Sequence, residues 1–288
     1  MRNGHAALTT VLFFSFTLGA SAQGENTSFQ WKFEEACKLN EERFHNQAAD
    51  IWKQLVEAQP ENSNLNWKLG SSYMNSYNQK AKALPYLQTA SDRRGKGNGA
   101  FNATGYDPFD SKETNAPVEV DYWLAYAYHL AGNFAKADEY YTKFSTEVGD
   151  KHFLYQSAQH GLEQTANARK LIAEPKTYTV SNAGPVINND HPDFSPVISV
   201  DGNAMFYTSR RLRADSSNVD IVDPLAGLPF ENIYVSYKDR NANWQTPEPL
   251  NINAVDRHFA TVNVSADGQT LYIYRDDGGD GNLYESKL

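Results

Sequence analysis

Histidines, one cysteine and a few clustered acids are the residues of this 288-residue chain whose types could carry catalysis or hold a metal. His152 and His160 are spaced for two turns of one helix face. No further ligand type clusters with them, which favours a surface or groove position over a metal site. His191 and His258 open two similar stretches near the C-terminus and read as structural or loop residues. Asp190, Asp193 and Asp256 are the carboxylates that a glycoside-cleaving or hydrolytic mechanism would need as a facing pair. The segment Asp276-Asp277-Gly278-Gly279-Asp280-Gly281-Asn282 offers oxygen ligands of the kind calcium takes. It lacks the alternating acids and terminal Glu of an EF-hand, and a tight turn before Leu283-Tyr284-Glu285 explains its glycines equally well. Cys37 is the single cysteine, so no intramolecular disulfide framework exists, and its expected role is that of a small apolar residue on a helix. There is no Gly-x-Ser-x-Gly elbow, no His-Glu-x-x-His and no phosphate-binding glycine loop. With no nucleophile, base and oxyanion donors visible together, the expectation is a binding protein without catalytic residues, cofactor or metal.

The formal charge of −9 argues against a nucleic-acid partner, since basic residues cluster only at Arg93-Arg94 and Arg210-Arg211. At the N-terminus, Arg2 precedes an uncharged, largely apolar run from Val11 to Leu18 and then Ala20-Ser21-Ala22. This order is that of a secretory signal peptide over residues 1–22, with a mature N-terminus at Gln23. Loss of Arg2 takes the charge from −9 to −10. No other stretch is long and apolar enough to span a bilayer. The chain is therefore expected to be exported.

Two periodicities divide the mature chain. From Phe29 to Ala173 apolar residues recur at helical spacing, and from Tyr178 onward they alternate with period two between Asp-Gly and Asn-rich turns. The change falls at Glu174-Pro175, so the expected domains are 23–173 and 187–288, joined by a linker over 174–186.

Three related passages occupy the helical part. They are Ala36, Leu39, Ala48, Trp52, Leu55 and Pro60; then Leu69, Gly70, Tyr73, Ala83, Leu87 and Ala90; then Leu124, Ala125, Tyr128, Gly132, Ala137, Tyr141 and Phe144. Each puts a small residue and an aromatic or Leu on one helix, and Ala with larger apolar residues on the next. This resembles the tetratricopeptide repeat, in which small residues sit where helices cross and large ones fill the gaps. The second passage has one extra residue before Ala83, which predicts a longer turn inside that pair. An insertion rich in Gly and Asn, from Gly95 to Pro108, separates the second and third passages and reads as a solvated loop or a binding loop. Phe153 to Ala173 predicts a capping helix.

The resemblance implies a stack whose first helices line a concave face. Counting around those helices puts Phe33 and Asn40 inward in the first repeat, Trp67, Ser71 and Asn75 in the second, and Tyr122, Tyr126 and His129 in the third. These eight residues are the candidate protein-binding groove, since rings supply area with few rotamers and amides read backbone. For Trp67 and Tyr122, packing between repeats stands as an equal alternative.

The β part contains a repeat of its own. Asp190 to Ser209 and Asp256 to Tyr274 align without gaps through Ser199/Ser265 and Asp201-Gly202/Asp267-Gly268. Asp-Gly between alternating strands predicts a hairpin in each copy, followed by further strands at Asn232–Ser236 and Asn282–Ser286. Phe194-Ser195-Pro196, the Asp-Gly turn and an aromatic strand ending in Thr208-Ser209-Arg210-Arg211 resemble the WD40-like repeat of TolB-type periplasmic proteins.

The expected fold is thus α+β and multidomain: an N-terminal tetratricopeptide solenoid, then a partial all-β WD40-like propeller of about two blades. This order is similar to that of envelope proteins of the OmpA and peptidoglycan-associated group, including a branch that serves type IX secretion. The resemblance implies a periplasmic location in association with the outer membrane. It also implies a non-enzymatic scaffold or adaptor, with envelope or secretion-machinery proteins as partners, and peptidoglycan only if a downstream domain exists. The alternative is a carbohydrate-active or hydrolytic propeller enzyme with a helical accessory domain. A propeller closes with about four to eight blades, so the sequence reads as truncated.

Overall fold

A computed structural model describes residues 19–95, 105–278 and 280–288, with side chains from residue 28 onward. Most of the expected signal peptide, residues 1–18, and the middle of the Gly-rich insertion, residues 96–104, lie outside the described residues. The chain divides into two compact units, Met1–Ala166 and Asn167–Leu288. That division falls inside the last helix, which itself ends at Ala173, just before Glu174-Pro175.

Seven α-helices are found among the described residues: α1 (Gly19–Glu41), α2 (His45–Ala58), α3 (Ser63–Asn75), α4 (Leu84–Arg93), α5 (Glu119–Leu130), α6 (Phe134–Val148) and α7 (Tyr155–Ala173). From α1 to α6 each helix packs on the next in sequence, and α3 also reaches α5. This is a stack of tetratricopeptide-like helix pairs. Local signals set the helix ends. Asn62 accepts from the Leu65 amide at 3.1 Å to start α3, and Asn133 accepts from Lys136 at 3.2 Å to start α6. Pro85 lies in the first turn of α4, where no amide donor is needed. The extra length before Ala83 forms a 3₁₀ turn at Lys80–Lys82.

Small residues allow the close crossings. A Cβ on Gly70 would lie 2.7 Å from the side chain of the fully buried Leu87, so α3 and α4 touch through that glycine. Gly161 of α7 faces the Tyr141 ring of α6 in the same way, at 2.5 Å. Larger residues fill the remaining space. Phe33 meets Trp52 edge-on at 5.1 Å, and Leu55, Leu65, Leu69, Leu124 and Phe144 close the core around them. One buried polar cluster holds the second and third pairs together. The Asp121 carboxylate is fully buried, accepts from the Ser91 hydroxyl at 2.5 Å, and is ion-paired with Lys143 at 3.0 Å.

The second unit has nine strands among the described residues: β1 (Asp193–Ile198), β2 (Ala204–Ser209), β3 (Val222–Asp223), β4 (Leu228–Pro229), β5 (Asn232–Tyr237), β6 (Glu248–Pro249), β7 (Phe259–Val264), β8 (Thr270–Asp276) and β9 (Gly281–Lys287). They form a sheet of order β1-β2-β5-β6, a ribbon β3-β4 and a sheet of order β7-β8-β9, all antiparallel in their pairings. Glu248–Pro249 supplies the short strand β6 against Tyr234 and Val235 of β5. Both Asp-Gly hairpins are present. Ser199 donates to Asp201, and Ser265 donates to Asp267, while Gly202 and Gly268 take φ of +73° and +70°.

The two large sheets pack through Phe206, Ile233 and Val235 on one side and Phe259, Leu271 and Ile273 on the other. They remain open. The expected partial propeller is, in the structure, a pair of open antiparallel sheets with a small ribbon, and no closed ring is detected among the described residues. Repeat-equivalent positions show the consequence. Ile233 is 0% exposed and its counterpart Leu283 is 74% exposed; Phe206 is 4% exposed and its counterpart Tyr272 is 42% exposed. One sheet covers the apolar face of its neighbour, and the same face of the second sheet stays open.

Candidate functional site

The candidate site is the face formed by the first helix of each pair, α1, α3 and α5. Its eight sequence-predicted residues fall into three groups. Phe33 is a correction. It is fully buried against Trp52, because the turn of α1 that carries it faces the core, and a ligand cannot reach it. Asn40, Ser71 and Asn75 serve partly as internal ties. Asn40 accepts from the Ser72 hydroxyl at 3.0 Å and contacts His45 Nδ1 at 3.1 Å, joining α1 to α3 and to the start of α2. Ser71 donates to the Lys68 carbonyl, and the exposed Asn75 donates to the Ser71 carbonyl.

Trp67, Tyr122, Tyr126 and His129 are half-buried. The Tyr122 ring packs against Trp123 at 5.7 Å and against Tyr141 and Phe144 of α6 at 5.8 Å. Trp123 then meets Tyr126 at 6.2 Å. An aromatic patch therefore runs along α5, and Trp123 belongs to it although the repeat count left it out. His129 stands edge-on to Phe134 at 5.7 Å, and its Nδ1 is buried without a hydrogen-bond partner.

The sequence count also missed the polar core of this face. Asn64 is fully buried, and Lys68 nearly so, on α3. The Lys68 ammonium lies 5.7 Å from the Phe33 ring, 5.6 Å from Trp52 and 6.0 Å from Phe109, and 3.9 Å from Cys37 Sγ. Burial pushes the Lys68 amine below its ordinary value and the Cys37 thiol above its own. Lys68, the only charged residue of α3, was the available signal.

The other chemical candidates do not gather. His152 is a correction, since it precedes α7 instead of sharing its face with His160. It contacts Glu119 at 3.2 Å and the Phe144 ring at 5.2 Å, while His160 is exposed and contacts Gln164. Asp190 and Asp256 are exposed, and Asp193 is ion-paired with Arg211 at 2.9 Å. His258 lies within 3.7 Å of Asp223 and 3.5 Å of Glu231, the carboxylates that Arg210 binds. In the acidic glycine turn, Asp277 is taken up by Arg275 and by the Tyr284 hydroxyl. Gly281 is required there for packing, because a Cβ would overlap the Tyr274 ring.

Two histidines of the helical unit make its stability pH-dependent. Burial lowers the pKa of both His45 and His129; nearby Arg43 adds to this at His45, while Asp138 opposes it at His129. Each folded-state value lies below the unfolded value of about 6.5. The unfolded chain therefore binds more protons as pH falls through that value. Stability is whole above about pH 6.5 and declines below it. Thermal melts between pH 7.5 and 5.5 should show the decline, and the His45→Gln/His129→Gln double variant should flatten it. An equal decline in the double variant would assign the effect to other groups.

No protein-family model matches the chain, and no curated protein matches it. Among solved structures, a crystal structure of the MamA protein is similar over 54% of this chain and 100% of its own length, with 17% sequence identity and a TM-score of 0.23.

Proposed function

We propose that the protein is a non-enzymatic scaffold or adaptor of the cell envelope. In this reading the helical unit holds a protein segment on the α1, α3 and α5 face, and the β unit supplies a second docking surface. The observation that carries the reading is the half-exposed aromatic patch Tyr122, Trp123 and Tyr126 on α5. Trp and Tyr rings are enriched among the residues that carry most of the binding energy at protein interfaces. The open apolar face of β8 and β9, with Tyr272 and Leu283, is consistent with docking by the β unit. The N-terminal signal pattern supports export to the periplasm. The WD40-like repeat signature supports a place beside TolB-type and OmpA-group envelope proteins, in envelope maintenance or type IX secretion. Against a hydrolytic alternative, two of the three candidate carboxylates are exposed and the third is neutralised by Arg211.

The test is selective loss of binding. Envelope fractions captured on the wild-type protein identify its partners. Tyr126→Ala and Asn75→Ala should each weaken a captured partner by about 1 kcal/mol or more, as truncations at interface centres do. Helical content should stay at the wild-type level. Partners retained in full by both variants would remove this face from consideration.

A further inference from the structure

The insertion between α4 and α5 does not stand away from the molecule as a free loop. Residues 105–112 lie across α3 and α1. The Tyr106 hydroxyl donates to Asn64 Oδ1 at 2.8 Å, with Trp67 in hydrogen-bonding reach of the same hydroxyl. Two residues on, the Pro108 carbonyl accepts from the Lys68 ammonium at 2.5 Å and lies 3.6 Å from Cys37 Sγ. Phe109 then covers the lysine from outside while remaining 56% exposed.

The two sides of this contact differ in character. The receptor is buried: Asn64 and Trp52 are fully enclosed, and Lys68 and Cys37 nearly so. The Trp52 indole nitrogen in the same cluster is buried without a hydrogen-bond partner. The covering segment is exposed at Gly105, Asp107, Phe109 and Lys112, and much of its local bonding is internal, with Asp107 and Asp110 accepting from amides two residues on. Its base is fixed differently. Glu113, Asn115 and Ala116 are buried, and the Asn64 amide donates to the Thr114 carbonyl while the Ala116 amide donates to Ser63. The fixed base thus begins at Glu113, and Gly105 at φ +92° begins the segment with open space around it.

We infer that Asn64, Trp67 and Lys68 form a receptor for an extended segment bearing a tyrosine and, two residues later, a free main-chain carbonyl, and that residues 105–112 occupy this receptor in cis as a displaceable strap. This deepens the reading of the α1 and α3 face as segment-binding by naming the chemistry that is read. Displacement of the strap by a competing segment of the same chemistry opens the receptor, so partner binding on this part of the face is gated.

The experiment uses the full chain and a variant in which residues 105–112 are replaced by a Gly/Ser run of equal length. The probe is a fluorescent peptide, Gly-Tyr-Asp-Pro-Phe-Asp-Ser-Lys, the sequence of the strap itself. Saturable binding to the variant, at least tenfold tighter than to the full chain, is expected. Tyr106→Ala in the peptide, or Asn64→Ala in the variant, should weaken it at least tenfold. Absence of binding to a variant with wild-type helical content overturns the proposal, whether or not Tyr126 and Asn75 bind an envelope partner. A variant that fails to fold also overturns it, because the strap would then be a structural element. Hydrogen exchange on the intact chain gives an independent reading. Amides of 105–112 should exchange through local opening, faster than those of α3, and exchange only with global unfolding would overturn the strap.

Discussion

Trp52→Ala should destabilise the helical unit by about 3–5 kcal/mol, the range for removing a large aromatic side chain from a packed core. Trp52 is fully buried, touches Phe33 edge-on, and sits 5.6 Å from the Lys68 ammonium. Truncation leaves a void between α1, α2 and α3 that the surrounding rings cannot fill, because the small residues at Ala36, Ala48 and Ala49 already bring the helices close. It also removes a ring from beside a buried lysine. The expected result in urea is a lower midpoint in the far-UV circular dichroism signal, which reports the helices. Trp52→Phe should recover more than half of the loss. If alanine costs under about 1 kcal/mol, this region is loosely packed and the assignment of Trp52 as the central core residue is wrong.

Arg210→Ala should disrupt the β unit by a comparable amount, about 3–5 kcal/mol, for an electrostatic reason. The guanidinium is buried between β2 and β5. It donates to Asp223 at 3.1 Å, to Glu231 at 3.0 Å and to the Pro229 carbonyl at 3.3 Å. Its loss leaves the buried Asp223 carboxylate and the partly buried Glu231 carboxylate without their guanidinium partner, and uncompensated buried charge is far more costly than an absent pair. Hydrogen exchange should therefore rise across β2, β3 and β5 while α2 to α6 are unchanged. Unchanged exchange across β2, β3 and β5 in the variant would show that this network does not hold the β unit together.

The division into helical and β parts was legible because it rests on periodicity. Apolar spacing at Leu65, Leu69 and Tyr73 fits a helix, and the period of two through Phe206, Thr208, Ile233 and Val235 fits strands, which the structure buries on both faces. The Asp-Gly turns and the Asn62 and Asn133 caps were equally local. Phe33 was misplaced because a helical count identifies a stripe but does not say on which side the next helix packs. One residue of rotation separates a groove position from a core position. His152 failed for a related reason: spacing of eight implies a shared face only if the helix begins before it, and α7 starts at Tyr155.

Sequence by itself determined the elements, their order, the small residues at crossings and the alternation that exposes one sheet face, since each depends on neighbours within about one or two turns. Tertiary structure alone decided which polar residues became a site. Asn64, Lys68 and Cys37 come from two helices, and Tyr106 and Pro108 from an insertion far along the chain. Arg210, Asp223, Glu231 and His258 likewise converge from four separate segments. A buried polar group must find its partner wherever packing brings one within reach, and that distance in space has no counterpart in residue spacing.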